Sequence, residues 1–581
     1  MPPASDQDVS PVTGPLRTGW AMAAAAGWAA AAIGAVVAAV LVVGHARSRR
    51  ADLPNAPNLA ALRSQLAQKP KDEALKERIR ELDLRLRKDH FRHLTIARWG
   101  NALLVGCLVV FLVGVRSAIA RAWRPRRPRG ETPDTVHEMR AATRGRTVVG
   151  AVAAVLAAGA ISPAALEIYR RWTTAPPPPP HVADPALVAK YWTQFRGPGA
   201  QGVSAYTNVP TDWDANTNRN IAWKSPIPLP GKSSPVVWGD RIFLTGATRV
   251  KRQVYCYEAG TGKRLWSADV VVPGSAKTKE AFEDTGYAAP TPVVNDRHVF
   301  AVFTNGDLAC FDFAGQRVWT KTLGTPQNQY SHGSSLVMYR NLLLVLWDQG
   351  ALEDYMSRLL AFDGQTGRLI WQVRRSVSSS WATPALVAGK TGQQLITSAN
   401  PWVLSYDPNT GAERWRAKCM EGGDVASTVA WANGVAYAVC AETELSALRT
   451  DLRGDVTKTG VLWSADEGLP DITSPLTNGR FVWLIETGGR LVCYDAKTGK
   501  KAYEHEFEKI FNASPALAGE KVYLVTTKGV AYVLDAGGAF KLLQTNFLGE
   551  PVHASPVFQD GRIYLRGKKH LYCIANTKPG S

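Results

Sequence analysis

Three long apolar runs lie in the first third of the chain. Residues 19–44 contain no charged residue, and the run is longer than the roughly 20 residues with which a helix crosses a bilayer. Shorter apolar runs follow at 99–119 and 147–166. The pattern predicts three transmembrane helices. The alternatives are buried helices of a soluble domain and, for the first run, a cleaved signal peptide, whose apolar core is normally shorter.

The segments around these runs are polar or amphipathic. Residues 1–18 form an N-terminal tail, and in 45–98 leucine and isoleucine recur at alternating steps of four and three, which predicts an amphipathic helical segment. Residues 120–146 are rich in arginine. The stretch 167–189 contains five consecutive prolines and predicts a stiff linker.

From residue 190 onward the pattern changes to short apolar strands separated by glycine-containing turns. One unit recurs: an entry strand that begins with a small residue and proline, two apolar strands of which the second ends in an acid, a Thr-Gly turn, and a closing tryptophan. It is clearest over 234–266 and again, closing on a tyrosine, over 474–503. The entry strand occurs eight times, near Pro235, Pro290, Ser335, Pro384, Thr428, Pro475, Pro515 and Pro556.

This repeat predicts the fold. The closing aromatic residues are about 40 to 53 residues apart, the period of a four-stranded propeller blade. The eighth copy lacks its outer strand, and the segment around Trp223 can supply it. We therefore predict an all-β, eight-bladed β-propeller over 190–581, closed by pairing of its N- and C-terminal strands, after an α-helical membrane region. Such closure removes both sheet edges.

The charge distribution bears on location rather than on ligand. The formal net charge is +19, of which +12 falls in residues 1–185. Nine arginines between Arg116 and Arg146 predict a cytoplasmic loop, although Arg47, Arg49 and Arg50 lie on the opposite side of the first run. Three crossings then place the protein in the inner membrane as a multi-pass protein with the propeller on the periplasmic, extracytoplasmic side. The excess is no sign of nucleic acid binding.

The repeat resembles the tryptophan-docking unit of the PQQ-like (quinoprotein alcohol dehydrogenase-like) β-propeller family. The opening Trp192-Thr193-Gln194-Phe195-Arg196-Gly197-Pro198 is similar to the start of membrane-anchored, BamB-like bacterial members. The resemblance implies that the closing tryptophans are structural and stack between neighbouring blades. These are Trp223, Trp266, Trp319, Trp371, Trp415 and Trp463.

The resemblance leaves two functions open. Members that oxidise alcohols or sugars hold pyrroloquinoline quinone (PQQ) on the axis, commonly against a vicinal disulfide, with Ca²⁺ bound by acidic and amide side chains; this chain has seven cysteines and no adjacent pair. Other members, such as the propeller lipoprotein of outer-membrane barrel assembly, are non-catalytic. We expect a non-catalytic binding or scaffold module in contact with the lipid bilayer and with a protein partner or small ligand. The alternative is a divergent PQQ- and calcium-dependent dehydrogenase. No catalytic residue and no metal ligand is predicted.

The repeat register gives candidate ligand-binding residues. Positions three before the entry-strand proline, or its equivalent, are related by symmetry and are expected to ring the mouth of the central funnel, unless they are ordinary loop residues. The ring comprises Lys232, Tyr287, His332, Trp381, Val425, Ile472, Asn512 and His553. Its polar and aromatic members suit a ligand pocket. Asp348 and Gln349, in a long loop of the third blade, are further candidates.

Overall fold

A computed structural model describes residues 181–576, apart from 276–279, 281, 284 and 391, together with three isolated earlier positions, Ala31, Cys107 and Phe111. Within this part of the chain no helix is both long and apolar enough to cross a membrane. Apart from those three positions, the predicted tail, membrane spans, amphipathic segment and arginine-rich loop lie outside the described residues and stay predictions. The end of the predicted linker forms a short helix, α1 (Pro185–Lys190), capped by the Asp184 carboxylate.

Eight sheets form the rest of the described chain. A first strand, β1 (Ile221–Pro226), precedes the first complete blade. Blade 1 comprises β2 (Val236–Trp238), β3 (Arg241–Ala247), β4 (Arg252–Glu258) and β5 (Arg264–Asp269), and blade 2 comprises β6 (Val293–Val294), β7 (His298–Val302), β8 (Asp307–Asp312) and β9 (Arg317–Thr322). Blade 3 comprises β10 (Val337–Tyr339), β11 (Leu342–Trp347), β12 (Arg358–Asp363) and β13 (Leu369–Arg374), and blade 4 comprises β14 (Ala385–Val387), β15 (Gln394–Ala399), β16 (Trp402–Tyr406) and β17 (Glu413–Lys418).

Blade 5 comprises β18 (Ala430–Ala432), β19 (Val435–Cys440), β20 (Glu444–Arg449) and β22 (Val461–Ala465), with β21 (Gly454–Asp455) interposed in the chain, and blade 6 comprises β23 (Leu476–Thr477), β24 (Phe481–Ile485), β25 (Arg490–Asp495) and β26 (Lys501–Glu506). Blade 7 comprises β27 (Ala516–Ala518), β28 (Lys521–Val525), β29 (Val530–Asp535) and β30 (Leu542–Phe547), and the last strands of the chain, β31 (Val557–Gln559), β32 (Arg562–Arg566) and β33 (His570–Ala575), belong to blade 8. Single 3₁₀ turns lie at Pro198–Ala200 and Leu352–Asp354.

Each blade contains four antiparallel strands, which follow chain order except in blade 8, where β1 is the outer strand. The second and third strands are buried along nearly their whole length because both of their faces pack against neighbouring blades, whereas the outer strands alternate between exposed and partly buried residues. The predicted eight-bladed, all-β propeller is confirmed. The predicted closure is confirmed too, since β1 pairs with β33 in the order β1-β33-β32-β31.

The fifth repeat is degenerate in sequence because its outer turn contributes to another sheet. Strand β21 leaves blade 5 and pairs in parallel with the outer strand of blade 4, with Gly454 opposite Trp415. Blade 4 therefore has five strands. Strand β22, which carries Trp463, still completes blade 5 with four.

Four of the cysteines have a shared packing role. Cys256, Cys310 and Cys573 lie directly across the strand pair from Trp266, Trp319 and Trp223, and Cys493 lies across from a tyrosine. In blades 3, 4 and 5 alanine or serine takes this position, and in blade 7 it is Val533, which lies across from Gln544 instead of an aromatic residue. A small side chain here leaves room for the closing aromatic ring. Burial raises the pKa of the Cys256 thiol to about 12, which keeps it protonated and unreactive.

Candidate functional site

A closed ring of hydrogen bonds surrounds the propeller axis. In each blade a serine or threonine two residues before the inner strand donates its backbone N–H to the hydroxyl of the equivalent residue in the next blade, at 2.9–3.1 Å. The last bond runs from blade 8 back to blade 1. The eight residues of this hydroxyl ring are Ser234, Thr291, Ser335, Thr383, Thr428, Ser474, Ser514 and Ser555.

The hydroxyl ring keeps hydrogen-bonding capacity. A hydroxyl oxygen that accepts one N–H retains a second lone pair and its own proton. None of the eight hydroxyls donates to an acceptor among the described residues. Six of them line the central cavity. The ring therefore both ties the blades together and presents polar atoms to whatever occupies the axis.

Residues 192–204, named the axial plug here, cross one end of the axis. The carbonyl of Thr193 accepts from the inner strand of blade 2, and Arg196 donates to the carbonyl of Pro475 in blade 6, on the opposite side of the ring, at 2.6 Å. Further along, Val203 pairs with the inner strand of blade 7. Gly199 lies so close to the carbonyl of Leu386 in blade 4 that a Cβ would come within 2.7 Å of it. The plug thus spans the ring.

Arg196 is the buried cation of this plug. It is 1 % exposed, and burial lowers its pKa to about 9, which still leaves it charged at neutral pH. Its Nη2 donates to two carbonyls, while Nε and Nη1 have no hydrogen-bond partner among the described atoms. Arg196 thus joins the carbonyl of Gln201 within the plug to the carbonyl of Pro475, which directly precedes the inner strand of blade 6.

A cavity of about 360 Å³ lies on the axis between the plug and the opposite end. Phe195 of the plug lines it, as do six members of the hydroxyl ring. Its remaining lining residues surround the mouth: Lys232, Thr285, Ala289, Tyr330, Gly333, Trp381, Asp424, Ala426, Asp471, Ile472, Asn512 and His553. The cavity is a blind funnel, with the size and mixed lining of a small-ligand site.

Five of the eight predicted ring residues line this funnel: Lys232, Trp381, Ile472, Asn512 and His553. The other three predicted positions, Tyr287, His332 and Val425, do not line it. In the blades of these three, the mouth position is taken by Ala289, Gly333 and Ala426. All eight mouth residues lie two positions before the hydroxyl ring.

The difference is one of register. The predicted alignment used Pro290 in blade 2, where Pro292 is the equivalent residue, and took two ring residues themselves, Ser335 and Thr428, as equivalents of the proline. In blades 3 and 5 the shift is one residue, and successive side chains of an extended chain point in opposite directions, so His332 and Val425 point away from the axis. In blade 2 the shift is two residues, so Tyr287 lies further before the inner strand than the mouth residue Ala289. The signal that fixes the register is the Ser or Thr shared by all eight copies.

The predicted residues that do not line the funnel are part of the packing between blades. His332 is 3 % exposed and its ring lies 4.8 Å from that of Trp347; burial lowers its pKa to about 4. Asp348 is buried too and binds Arg375 through both carboxylate oxygens, at 2.9 and 3.1 Å. Gln349 accepts from the backbone of Gln327. The side chains of Asp348 and Gln349 thus form hydrogen bonds within the protein.

The closing tryptophans lie over the turns of the following blades. A Cβ on Gly262, Gly315, Gly367, Gly411 or Gly499 would come within 2.5–2.8 Å of the indole of Trp223, Trp266, Trp319, Trp371 or Trp463, respectively. Four of these indoles donate Nε1–H to a backbone carbonyl near that turn. Trp415 differs, since its Nε1 donates to Gln394 within its own blade. None of the six lines the funnel.

The funnel does not fit PQQ with Ca²⁺. Calcium takes six to eight oxygen ligands, several of them carboxylates. The described lining offers two carboxylates, Asp424 and Asp471, and the described residues include no cluster of three or more His, Cys, Asp or Glu side chains that could hold a metal ion. The six cysteines of the described propeller residues are free and distributed over different strands and loops of the blades, so none forms a vicinal disulfide against the axis.

Eight blades around a plugged funnel, seven of four strands and one of five, form a β-propeller. The matching family model is described as outer membrane protein assembly factor BamB and covers residues 224–351, 355–478 and 453–542, together more than half of the chain. The chain therefore belongs to this PQQ-like, BamB family.

Individual relatives are distant. The outer membrane protein assembly factor BamB of Moranella endobia (strain PCIT) is 22% identical over 301 residues, which cover 51% of this chain and 70% of the relative. The solved BamB of Moraxella catarrhalis is 15% identical, with a TM-score of 0.47 over 62% of this chain and 98% of that one. The quinohemoprotein alcohol dehydrogenase of Comamonas testosteroni is 14% identical, with a TM-score of 0.50 over 68% of this chain and 82% of that one. The last likeness shows the fold alone.

Proposed function

We propose that this protein is a membrane-anchored, extracytoplasmic propeller that binds a protein partner at its funnel without catalysing a reaction. The observation that carries the proposal is the blind axial cavity, floored by buried hydroxyls that have no acceptor among the described residues and rimmed by a mixed set of aromatic and charged side chains. A concave site with convergent polar groups is the usual form of a ligand site.

The membrane anchor and the orientation come from the sequence. The uncharged run 19–44 and the runs at 99–119 and 147–166 are expected to place the protein in the inner membrane, and the arginine-rich loop 120–146 is expected to stay in the cytoplasm. The propeller then faces the periplasm. The family's name refers to the assembly of outer membrane proteins, which supports a protein as the partner outside the cytoplasm.

Site-specific crosslinking in membranes tests the binding role. A photoreactive amino acid at Ile472, which is 38 % exposed at the mouth, should trap one defined protein in the full-length chain. The same amino acid at Leu369, 41 % exposed on an outer strand, is the matched control. Equal labelling from the two positions, or no crosslinked product from Ile472, would contradict binding at the funnel.

Cysteine labelling tests the orientation. Val250 is 86 % exposed, whereas the described native propeller cysteines are buried, so Val250→Cys offers a reactive thiol on the propeller. A membrane-impermeant maleimide should label it in spheroplasts. A cysteine at Thr132, in the arginine-rich loop, should react only after lysis. The reverse pattern would place the propeller in the cytoplasm.

Reconstitution tests the dehydrogenase alternative. The full chain in detergent, mixed with PQQ and Ca²⁺, should support no alcohol-dependent reduction of a dye, because the funnel lacks the ligand set for the metal. Saturable dye reduction that requires both PQQ and Ca²⁺ would overturn the non-catalytic assignment.

A further inference from the structure

We propose that the funnel mouth binds a basic side chain, arginine or lysine, presented by the partner protein; this inference rests on the proposed function and specifies its ligand. The mouth places an aromatic wall beside two carboxylates that have no cationic partner among the described residues. Both features favour a cation, the first through the negative faces of the rings and the second through charge.

The aromatic wall consists of Tyr330 and Trp381, which line the funnel on the entry loops of blades 3 and 4, and Phe282 of blade 2 packs behind Tyr330 without lining the cavity. The rings of Phe282 and Tyr330 are 5.1 Å apart, and those of Tyr330 and Trp381 are also 5.1 Å apart, both pairs edge to face. Trp381 is held in place, since its Nε1 donates to the carbonyl of Ser331 at 2.9 Å. Gly333 makes room for it, because a Cβ there would lie 3.0 Å from the indole. The wall is therefore pre-organised before any ligand enters.

The two carboxylates follow on the entry loops of blades 5 and 6. Asp424 and Asp471 are both exposed and both line the funnel. Asp471 accepts from the hydroxyl of Thr487, and neither aspartate forms an ion pair with a described residue. Elsewhere on the propeller, exposed acids such as Glu467 and Glu504 do have basic partners. The mouth thus keeps two negative charges for a ligand.

The opposite side of the mouth is already engaged. Lys232 donates to the carbonyl of Glu283 at 2.6 Å, and the amide of Asn512 is 3.2 Å from the imidazole of His553. Blade 1, which carries the lysine, lies across the axis from blade 5. A cationic side chain is therefore drawn toward blades 3 to 6, away from Lys232.

The floor supplies a second, independent argument for a ligand. The six hydroxyls that line the cavity belong to residues that are at most 5 % exposed, and each keeps a proton and a lone pair. Each of these hydroxyls already accepts one backbone N–H, and its remaining proton and lone pair can meet a ligand that carries hydrogen-bonding groups of its own. Phe195 at the closed end adds apolar surface for a methylene stem. A cavity of about 360 Å³ holds one long side chain and part of its backbone.

Peptide titration tests this inference. Full-length protein in detergent is titrated with the blocked tripeptides acetyl-Gly-Arg-Gly-amide and acetyl-Gly-Lys-Gly-amide, and with the matched peptides that carry Gln, norleucine or Glu in the middle. Binding is followed by calorimetry and by the fluorescence of Trp381, with a Trp381→Phe variant to assign that signal. The Arg and Lys peptides should bind saturably and at least tenfold more tightly than the Gln peptide, and their binding should weaken with salt.

Paired variants locate the site. The double variant D424N/D471N should weaken binding of the Arg peptide at least tenfold, and both changes are at exposed positions that the fold tolerates. Asp240→Asn removes a charge from the turn between β2 and β3, at the far end of the inner strand, and should change nothing. Equal binding of the Arg and Gln peptides, preference for the Glu peptide, or an unaffected D424N/D471N variant would overturn the inference. A partner crosslinked from Ile472 under those results would leave the proposed function standing.

Discussion

The hydroxyl ring makes a directional prediction about stability. Thr383→Val replaces the hydroxyl with a methyl of nearly the same shape, so the packing changes little. The backbone N–H of Ser335, which donates to that hydroxyl at 2.9 Å, loses its acceptor. Ser335 is 5 % exposed, so water cannot easily replace the lost partner. Local stability should therefore be lost in the blade before the substitution, and not in the blade after it.

The size of the effect follows from the cost of a buried unsatisfied donor, about 1–3 kcal/mol. That range corresponds to a roughly 5- to 150-fold change in an opening equilibrium. Hydrogen–deuterium exchange measured by mass spectrometry on the full chain should show faster exchange, by such a factor, in the peptide that contains Ser335. Exchange in the peptide that contains Thr428, whose hydroxyl accepts from Thr383, should change much less, since that bond remains.

Two controls make the prediction refutable. Thr383→Ser keeps the acceptor and should leave exchange at Ser335 within a few-fold of the native rate. Ser335→Ala should move the effect one blade back, to Thr291, which donates to the Ser335 hydroxyl. If Thr383→Val and Thr383→Ser behave alike, or if protection is lost around Thr428 instead, the ring does not hold the blades as described.

Three further substitutions probe the blades. Gly499 and Gly434 both have positive φ, but only a Cβ at 499 would meet Trp463. In urea unfolding, Gly499→Ala should therefore lower the free energy of unfolding by about 1 kcal/mol or more beyond the loss caused by Gly434→Ala. Equal losses would refute the contact. The pKa of the buried His332 is about 4, so between pH 6.5 and 4 the unfolded state binds a proton that the folded state does not, and the free energy of unfolding falls by about 3 kcal/mol. His332→Phe should remove this part of the pH dependence, and an unchanged slope would exclude His332 as its cause. Arg375→Met should destabilise by about 3–5 kcal/mol in the same assay, because it strands the buried carboxylate that it binds; a loss below 1 kcal/mol would contradict this.

The sequence was sufficient for the architecture because the repeat is local. Each blade is a short stretch with its own turn residues, and every blade except the seventh, where Gln544 takes the position, has a closing aromatic ring. Even the closing strand around Trp223 could be placed from the gap in the eighth copy. The fifth blade was harder to predict, because its strand β21 pairs with blade 4 and a strand of two residues has no sequence pattern that indicates which strand it pairs with.

The funnel was predicted less completely for two physical reasons. Mouth residues point to the axis only in one register, and prolines at both 290 and 292 made the wrong register equally plausible in blade 2. The plug contacts residues far apart in the chain: Arg196 binds a carbonyl 279 residues away. Such a contact exists only after the ring has closed, so the glycines around Arg196 could not be assigned a role from their spacing.

Eight copies in one chain also act as an internal comparison that separates structural from functional positions. The ring position is Ser or Thr in every blade, as expected where each residue must supply the same hydroxyl to the same neighbour. Two residues earlier, the mouth position is a different side chain in nearly every blade, from lysine through alanine and glycine to tryptophan. Folding does not require that variety, because the backbone geometry is the same in all eight blades. An asymmetric ligand does require it, since a ring of identical side chains cannot tell one side of the axis from the other. For the proposed binding role we therefore expect the mouth to determine the specificity of the funnel, and substitutions there should alter binding while leaving the stability of the propeller nearly unchanged.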